Sequence, residues 1–204
     1  MINAIFGAEE FQPRVAAAIN RQGETALHLA AWKGDTDSIV LLKKYGSGVA
    51  GSIESMRDTS GHTPLHLAII HGHCGGNSQQ SSSASVLLAR KGAPLAPDSQ
   101  HPLHLAAAAG HKHCAAEILD QQSGTAAQES LSATDALQYT PLHTAAANGR
   151  ADVVRLLCER FEDTDVQLNR RAVGMTASEM AVAGGHHLVV RELTRCATSG
   201  LDAD

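Results

Sequence analysis

Aromatic residues are scarce in this chain, with one Trp, two Tyr and three Phe among 204 residues. Rings of that size each bury roughly 150–250 Å² and dominate most rounded cores. A core of that kind is poorly provided for, whereas closely packed Ala-rich helices sharing a thin core are not. Long apolar runs are also missing, and nothing approaches the roughly 20 residues that cross a bilayer as a helix, so no membrane partner is expected. Clustered positive charge is lacking too. Lys and Arg number 16 against 21 Asp and Glu, the net charge is −5, and no basic group exceeds a pair such as Lys43-Lys44 or Arg170-Arg171. Sequence-independent nucleic-acid binding runs on phosphate neutralisation, so no nucleic-acid partner is expected either. Residues Met1 to Phe6 have neither a basic start nor a long apolar core, and no signal peptide is expected. The four cysteines (Cys74, Cys114, Cys158, Cys196) are spread about 40 residues apart. That is too sparse for a disulfide framework, and reduced thiols in a cytoplasmic or nuclear protein are the expectation.

What the chain has is repetition. Thr63-Pro64-Leu65-His66-Leu67-Ala68 returns as Thr25-Ala26-Leu27-His28-Leu29-Ala30, His101-Pro102-Leu103-His104-Leu105-Ala106 and Thr140-Pro141-Leu142-His143-Thr144-Ala145. A degraded copy reads Thr176-Ala177-Ser178-Glu179-Met180-Ala181. The His-equivalent positions 28, 66, 104, 143 and 179 give steps of 38, 38, 39 and 36 residues. Self-similarity at a near-fixed period of this size signals stacked supersecondary units. Each hexapeptide suits a helix start. Thr caps the first backbone N–H groups, and Pro at the first helical position has no N–H to leave unsatisfied. His bonds back toward the cap, and its other ring nitrogen is expected to reach a carbonyl in a neighbouring copy. Glu179 completes a capping box with Thr176 but loses that second reach.

The hexapeptide resembles the ankyrin repeat, whose unit of about 33 residues carries T-P-L-H-x-A near its start. Gly34, Gly72, Gly110, Gly149 and Gly185 each fall nine residues after the Thr-equivalent position, where that family turns between its two helices. Aliphatic second helices follow, among them Ile39–Leu42, Val86–Leu88, Val153–Leu157 and Leu188–Leu193. The resemblance implies an all-α solenoid of helix-turn-helix units joined by hairpin-like fingers, forming one domain over residues 1–204. Residues 1–20 read as an atypical N-terminal cap, repeats start near 21, 58, 97, 135 and 171, and 197–204 reads as a frayed tail.

Departures from the family lie in the connections. The finger from Ser47 to Gly61 is long by about five residues, and Cys74–Ser81 reads as a Gly- and Ser-rich insertion between helices. The finger from Ala93 to Gln100 is short, the one from Ser123 to Tyr139 is long enough for an extra helical turn over 126–132, and 162–175 makes the last. Fingers that vary while a stack supports them are where function concentrates.

No chemistry is signalled. The chain has no phosphate-binding glycine loop, nucleophile elbow or H-E-x-x-H pair. The stretches His71-Gly72-His73-Cys74 and His111-Lys112-His113-Cys114 carry zinc-type ligands, but their spacing matches no finger. They read as polar turn decoration, and no catalytic residue, metal or cofactor is assigned. Cys158 reads as a small hydrophobe on an apolar helix face.

The resemblance implies instead that partner proteins are held on a concave groove of finger tips and exposed first-helix positions. Carried over position by position, these are Arg21, Glu24, Trp32 and Lys33 in the first repeat, and His62, Ile70 and His71 in the second. The fourth contributes Tyr139 and Asn148, with Leu137 at the finger tip, and the fifth Met175, with Val173 at the tip. Trp32 is expected to face the groove while Leu27, Leu29 and Ala30 face inward. Ala108, Ala109 and Ala147 would lower the surface into a trough. The implied function is a protein–protein interaction module acting as adaptor, inhibitor or assembly factor, not an enzyme, and a monomer when isolated. The alternatives are a metal- or Cys-dependent enzyme and a permanent structural subunit of a larger complex. Zinc retained on purification and lost to a chelator would mark the first, and isolation only with a partner the second.

Overall fold

The computed structural model describes residues 16–46, 53–74, 82–88, 101–122, 124–161 and 164–199. Most of the N-terminal cap, the Cys74–Ser81 insertion except Cys74, and the finger from Ala93 to Gln100 lie outside these, and so does 200–204. The chain divides into two compact units, Met1–Arg90 and Lys91–Asp204.

Within the first unit, each hexapeptide opens a helix and each aliphatic run forms its antiparallel partner. The pairs are α1 (Ala26–Lys33) with α2 (Thr36–Gly46), and α3 (Pro64–Ile70) with α4 (Ser83–Leu88). First helices pack on first helices and second on second, so α1 lies against α3 and α2 against α4. The chain can turn sharply after α1 because Gly34 takes a left-handed conformation at φ +76. A side chain there would also strike the His73 ring, 2.6 Å from where its Cβ would stand. Asp35 then starts α2 by accepting hydrogen bonds from Ser38 N–H at 3.1 Å and Ser38 Oγ at 2.7 Å. The core is made of small and medium side chains, Leu27, Ala31, Ile39, Ala68 and Ala84 being fully buried. Ile53 and Met56 of the long finger fold back onto it, and Lys43 pairs with Glu54 at 3.3 Å.

Among its described residues the second unit has three such pairs. They are α5 (Pro102–Ala109) with α6 (Lys112–Asp120), α8 (Pro141–Ala147) with α9 (Ala151–Arg160), and α11 (Ala177–Ala183) with α12 (His187–Ser199). Two finger helices, α7 (Thr125–Ser132) and α10 (Thr164–Asn169), interrupt the plain alternation. The extra turn expected over 126–132 is therefore a helix of two turns. Leu131 seals it to the core at 1% exposure, and Gln128 Nε2 donates to the Arg160 carbonyl at the end of α9 (3.1 Å). The last finger ends in a two-strand hairpin, β1 (Arg171–Ala172) against β2 (Met175–Thr176), with Arg171 opposite Thr176 and Ala172 opposite Met175.

Two expectations need correcting here. α12 continues to Ser199, so helix replaces the first three residues of the supposed frayed tail. The expectation of reduced thiols fails at all four cysteines: Cys74 and Cys114 are disulfide-bonded, and Cys158 and Cys196 are joined to each other with Cα atoms 6.0 Å apart. Adjacent second helices bring positions 38 residues apart face to face, a proximity that sequence spacing alone does not display.

Candidate partner-binding surface

The hexapeptide histidines hold the surface in place from below. In α1, the Thr25 N–H donates to His28 Nδ1 at 3.1 Å, with Thr25 Oγ1 2.8 Å from the same nitrogen. A nitrogen that accepts there leaves Nε2 as the donor, and Nε2–H donates to the His62 carbonyl of the next copy at 3.1 Å. The same reach joins His104 Nε2 to the Tyr139 carbonyl at 2.8 Å and His143 Nε2 to the Arg170 carbonyl at 3.0 Å. Burial pushes the imidazoles of His28, His104 and His143 below their usual pKa, against the raising effect of the carbonyls they face. For His28 and His143 neutral rings are also what the geometry demands, because a proton on Nδ1 would confront the cap donors. Glu179 stands where the last histidine would. Its carboxyl is held below the ordinary range, first by the Thr176 N–H and then by Arg171.

A second row of bonds runs the opposite way and was not foreseen from the sequence. After Gly72, Gly149 and Gly185 the next residue reaches back to a carbonyl near the end of the preceding first helix. His73 Nε2 donates to the Trp32 carbonyl at 2.8 Å, Arg150 Nε to that of Ala108 at 3.0 Å, and His186 Nε2 to that of Ala147 at 3.0 Å. These bonds satisfy carbonyls that every helix end leaves without an internal partner. They also fix the ends of the helices that carry the surface.

In the first unit this fastening sits beneath a cluster of three rings. Trp32 is 53% exposed, with its ring centroid 5.7 Å from that of His71 in an edge-on arrangement. His71 in turn stacks on His73 at 6.3 Å. Leu29 lies one turn before Trp32 on the same face and is 47% exposed. The expectation that Leu29 faces inward is corrected, because the buried stripe of α1 runs through Leu27, His28, Ala30 and Ala31. Lys33 and Arg21 are exposed nearby in the chain, and Ile70, next to His71, is partly buried. Glu24 and His62 are less open. Glu24 accepts from Asn20 Nδ2 at 2.7 Å, and the His62 ring lies 3.5 Å from the Asp58 carboxylate.

The finger tips are shaped by a local device that the sequence reading missed, although its signal is a short spacing. Five residues before the Thr position, Asn20, Asp58 and Asp135 each accept hydrogen bonds from backbone N–H groups two and four residues on, at 2.8–2.9 Å. Such Asx turns mimic a backbone turn and push the residues between them outward. In the second unit the residue so presented is Leu137, 59% exposed. Arg171 occupies the corresponding place in the last copy, where the hairpin presents Val173 instead, 71% exposed. Tyr139 is partly buried, its ring stacked over His143 at 6.3 Å. Asn148 is exposed, with its side-chain amide donating back to the Thr144 carbonyl at 2.8 Å. Met175 is partly buried on β2. Ala147 is exposed, while Ala108 and Ala109 are partly covered.

The ten positions assigned by resemblance therefore fall in two groups. Arg21, Glu24, Trp32, Lys33, His62, Ile70 and His71 belong to the first unit, and Tyr139, Asn148 and Met175 to the second. Among the described residues, no three His, Cys, Asp or Glu side chains are placed to hold a metal ion. No helix among them is long and apolar enough to cross a membrane.

Comparison with known proteins gives one consistent result. A family model described as ankyrin repeats (3 copies) matches residues 3–88, 77–170 and 103–203. Mouse Rabankyrin-5 is 29% identical over 176 residues, covering 85% of this chain and 14% of that protein. Mouse B-cell lymphoma 3 protein homolog is 29% identical over 156 residues, covering 74% of this chain and 32% of that protein. The ankyrin repeat-containing protein ITN1 of Arabidopsis thaliana is 40% identical over 79 residues, 35% of this chain and 13% of that protein. The chain thus spans less than a third of the length of these curated relatives.

Proposed function

The chain belongs to the ankyrin-repeat family, whose repeats are generally protein-interaction modules and typically non-enzymatic, and from that premise we propose that it binds a partner protein through finger tips and first-helix ends, with the first unit's around Trp32 as the main contact. It acts there as an adaptor, inhibitor or assembly factor. The observation that carries this reading is Trp32. A helix that buries Leu27, His28 and Ala31 completely leaves its one large ring 53% exposed, with the adjoining carbonyl fixed by His73. An exposed Trp on a fastened backbone presents apolar area at little further ordering cost, which is how binding hot spots are built. Lys33, Arg21 and His71 would supply the polar rim around it, and Ile70 further apolar contact.

The test is quantitative capture from native lysate with two matched pairs of substitutions. Truncating hot spots typically costs 2 kcal/mol or more, roughly a thirtyfold loss of affinity. Trp32→Ala with Ile70→Ala should remove specific partners while helical content is kept. The control is Asp152→Ala with Arg191→Ala, two exposed side chains of the second helices α9 and α12, which should change little. Loss of capture with the control pair alone would place the surface on the wrong side of the helices.

A further inference from the structure

The packing of α9 against α12 does more than bury Val154, Leu157, Val189 and Leu193. Arg155 Nε lies 3.7 Å from Glu192 Oε2, bridging the two helices. Both helices run in the same direction, so residues about one turn further along each should meet as well. Three residues beyond Arg155 stands Cys158, and four beyond Glu192 stands Cys196. Their Cα separation of 6.0 Å falls inside the range that a disulfide spans without backbone movement. The register is held by the ion pair and the aliphatic seam as well as by the bond, so the same two sulfurs remain opposed when the bond is open.

The two cysteines differ in exposure. Cys196 is 6% exposed, whereas Cys158 is only partly buried. We propose that Cys158 and Cys196 form a reversible redox site whose reagent is a low-molecular-weight thiol–disulfide couple. An external thiolate attacks the sulfur of Cys158, the less buried of the two residues, forming a mixed disulfide and expelling the Cys196 thiolate, which takes up a proton. A second external thiolate then displaces Cys158 as thiolate, which is also protonated. Two external thiols become one disulfide, and two electrons and two protons pass to the protein. Oxidation reverses these steps with an external disulfide as the acceptor.

Opening the bond acts on one layer. The linked residues are 38 apart in sequence, so the bond closes a long loop, and such loops are restrained most. α12 packs on α9, α10 and α11. When the bond is reduced, it is held by those contacts alone, and its local opening becomes easier. The hairpin carrying Val173 and Met175 leads directly into that layer. Redox state would then set the rigidity of this part of the surface, and the inference does not depend on any partner being known.

The test compares the whole chain equilibrated with oxidised glutathione and with dithiothreitol. The site predicts a linked proteolytic fragment containing Cys158 and Cys196 in the first and its absence in the second. Amide exchange across Leu193–Cys196 should be at least about tenfold faster in the reduced protein. In Cys158→Ser with Cys196→Ser it should be fast in both buffers. No linked fragment under oxidising conditions, or equal exchange in the two buffers, would overturn the proposal. So would a redox response that persists in the double variant, since Cys74 and Cys114 would then be responsible. If the variant does not fold, the wild-type comparison still decides.

Discussion

His28 and His143 are fully buried, yet each ring nitrogen faces a partner, a cap group on one side and a carbonyl of the following copy on the other. That arrangement requires neutral imidazole. The folded chain holds His28, His104 and His143 below their ordinary value of 6.5, while the unfolded chain protonates them near that value. Stability should therefore be fully present above pH 6.5 and decline as pH falls through the depressed folded values. Urea midpoints should fall between pH 8 and pH 5.5, and an unchanged or rising midpoint would contradict the neutral ladder. The third hexapeptide offers a second check. His101 replaces the capping Thr, and His104 Nδ1 is buried without a hydrogen-bond partner among the described residues. His101→Thr would restore the cap and should raise stability by about 1 kcal/mol, read by chemical denaturation. The helix-start bonds were legible in the sequence because they join residues three apart. The return bonds from His73, Arg150 and His186 were not, since they span 39 to 42 residues and no local pattern distinguishes them.

At the scale of elements, the helix starts, the turn glycines and the aliphatic second helices were all readable from short spacings. Gly149 shows how strict the glycine positions are, at φ +70 with the His186 ring 2.7 Å from where a Cβ would stand. The fingers were read only by length. Whether extra residues coil, fold back or form strands depends on what they can bury, as Leu131 of α7 and Ala172 of the hairpin show. Leu29 misled for a related reason, because a leucine within a buried motif looks like core until the neighbouring helix shows which side it covers. The hairpin also carries a local conflict. Val173 sits at φ +51, a left-handed conformation costly for a β-branched residue, and its side chain is 71% exposed. Val173→Asn should raise the thermal midpoint of the second unit, by the equivalent of about 1 kcal/mol. If Val173 also touches the partner, the same change should weaken capture.

For the molecule as a whole, the scarcity of aromatics and the architecture share one cause. Within each unit, cores made of Ala, Leu, Ile and Val exist only where one helix pair covers the next, so pairs of the same unit depend on one another. Surface is generated along the way, and among the described residues its exposed large apolar side chains include Trp32 at a helix end and Leu137 and Val173 at finger tips, beside Ile19, Leu29, Val40, Val182 and Leu188 elsewhere. The disulfide lay outside what spacing could reveal, and so did the ring cluster around Trp32, because both arise from contacts between copies. That the stack supports a binding face is the central claim, and hydroxyl-radical footprinting tests it most directly. The chain alone and bound to a captured partner would be oxidised and mapped residue by residue. Trp32, the only tryptophan, should be oxidised several-fold more slowly in the complex, while fragments covering Asp152–Arg155 and Leu188–Arg191 keep their rates. Unchanged oxidation of Trp32, with protection on those second-helix fragments, would contradict the account.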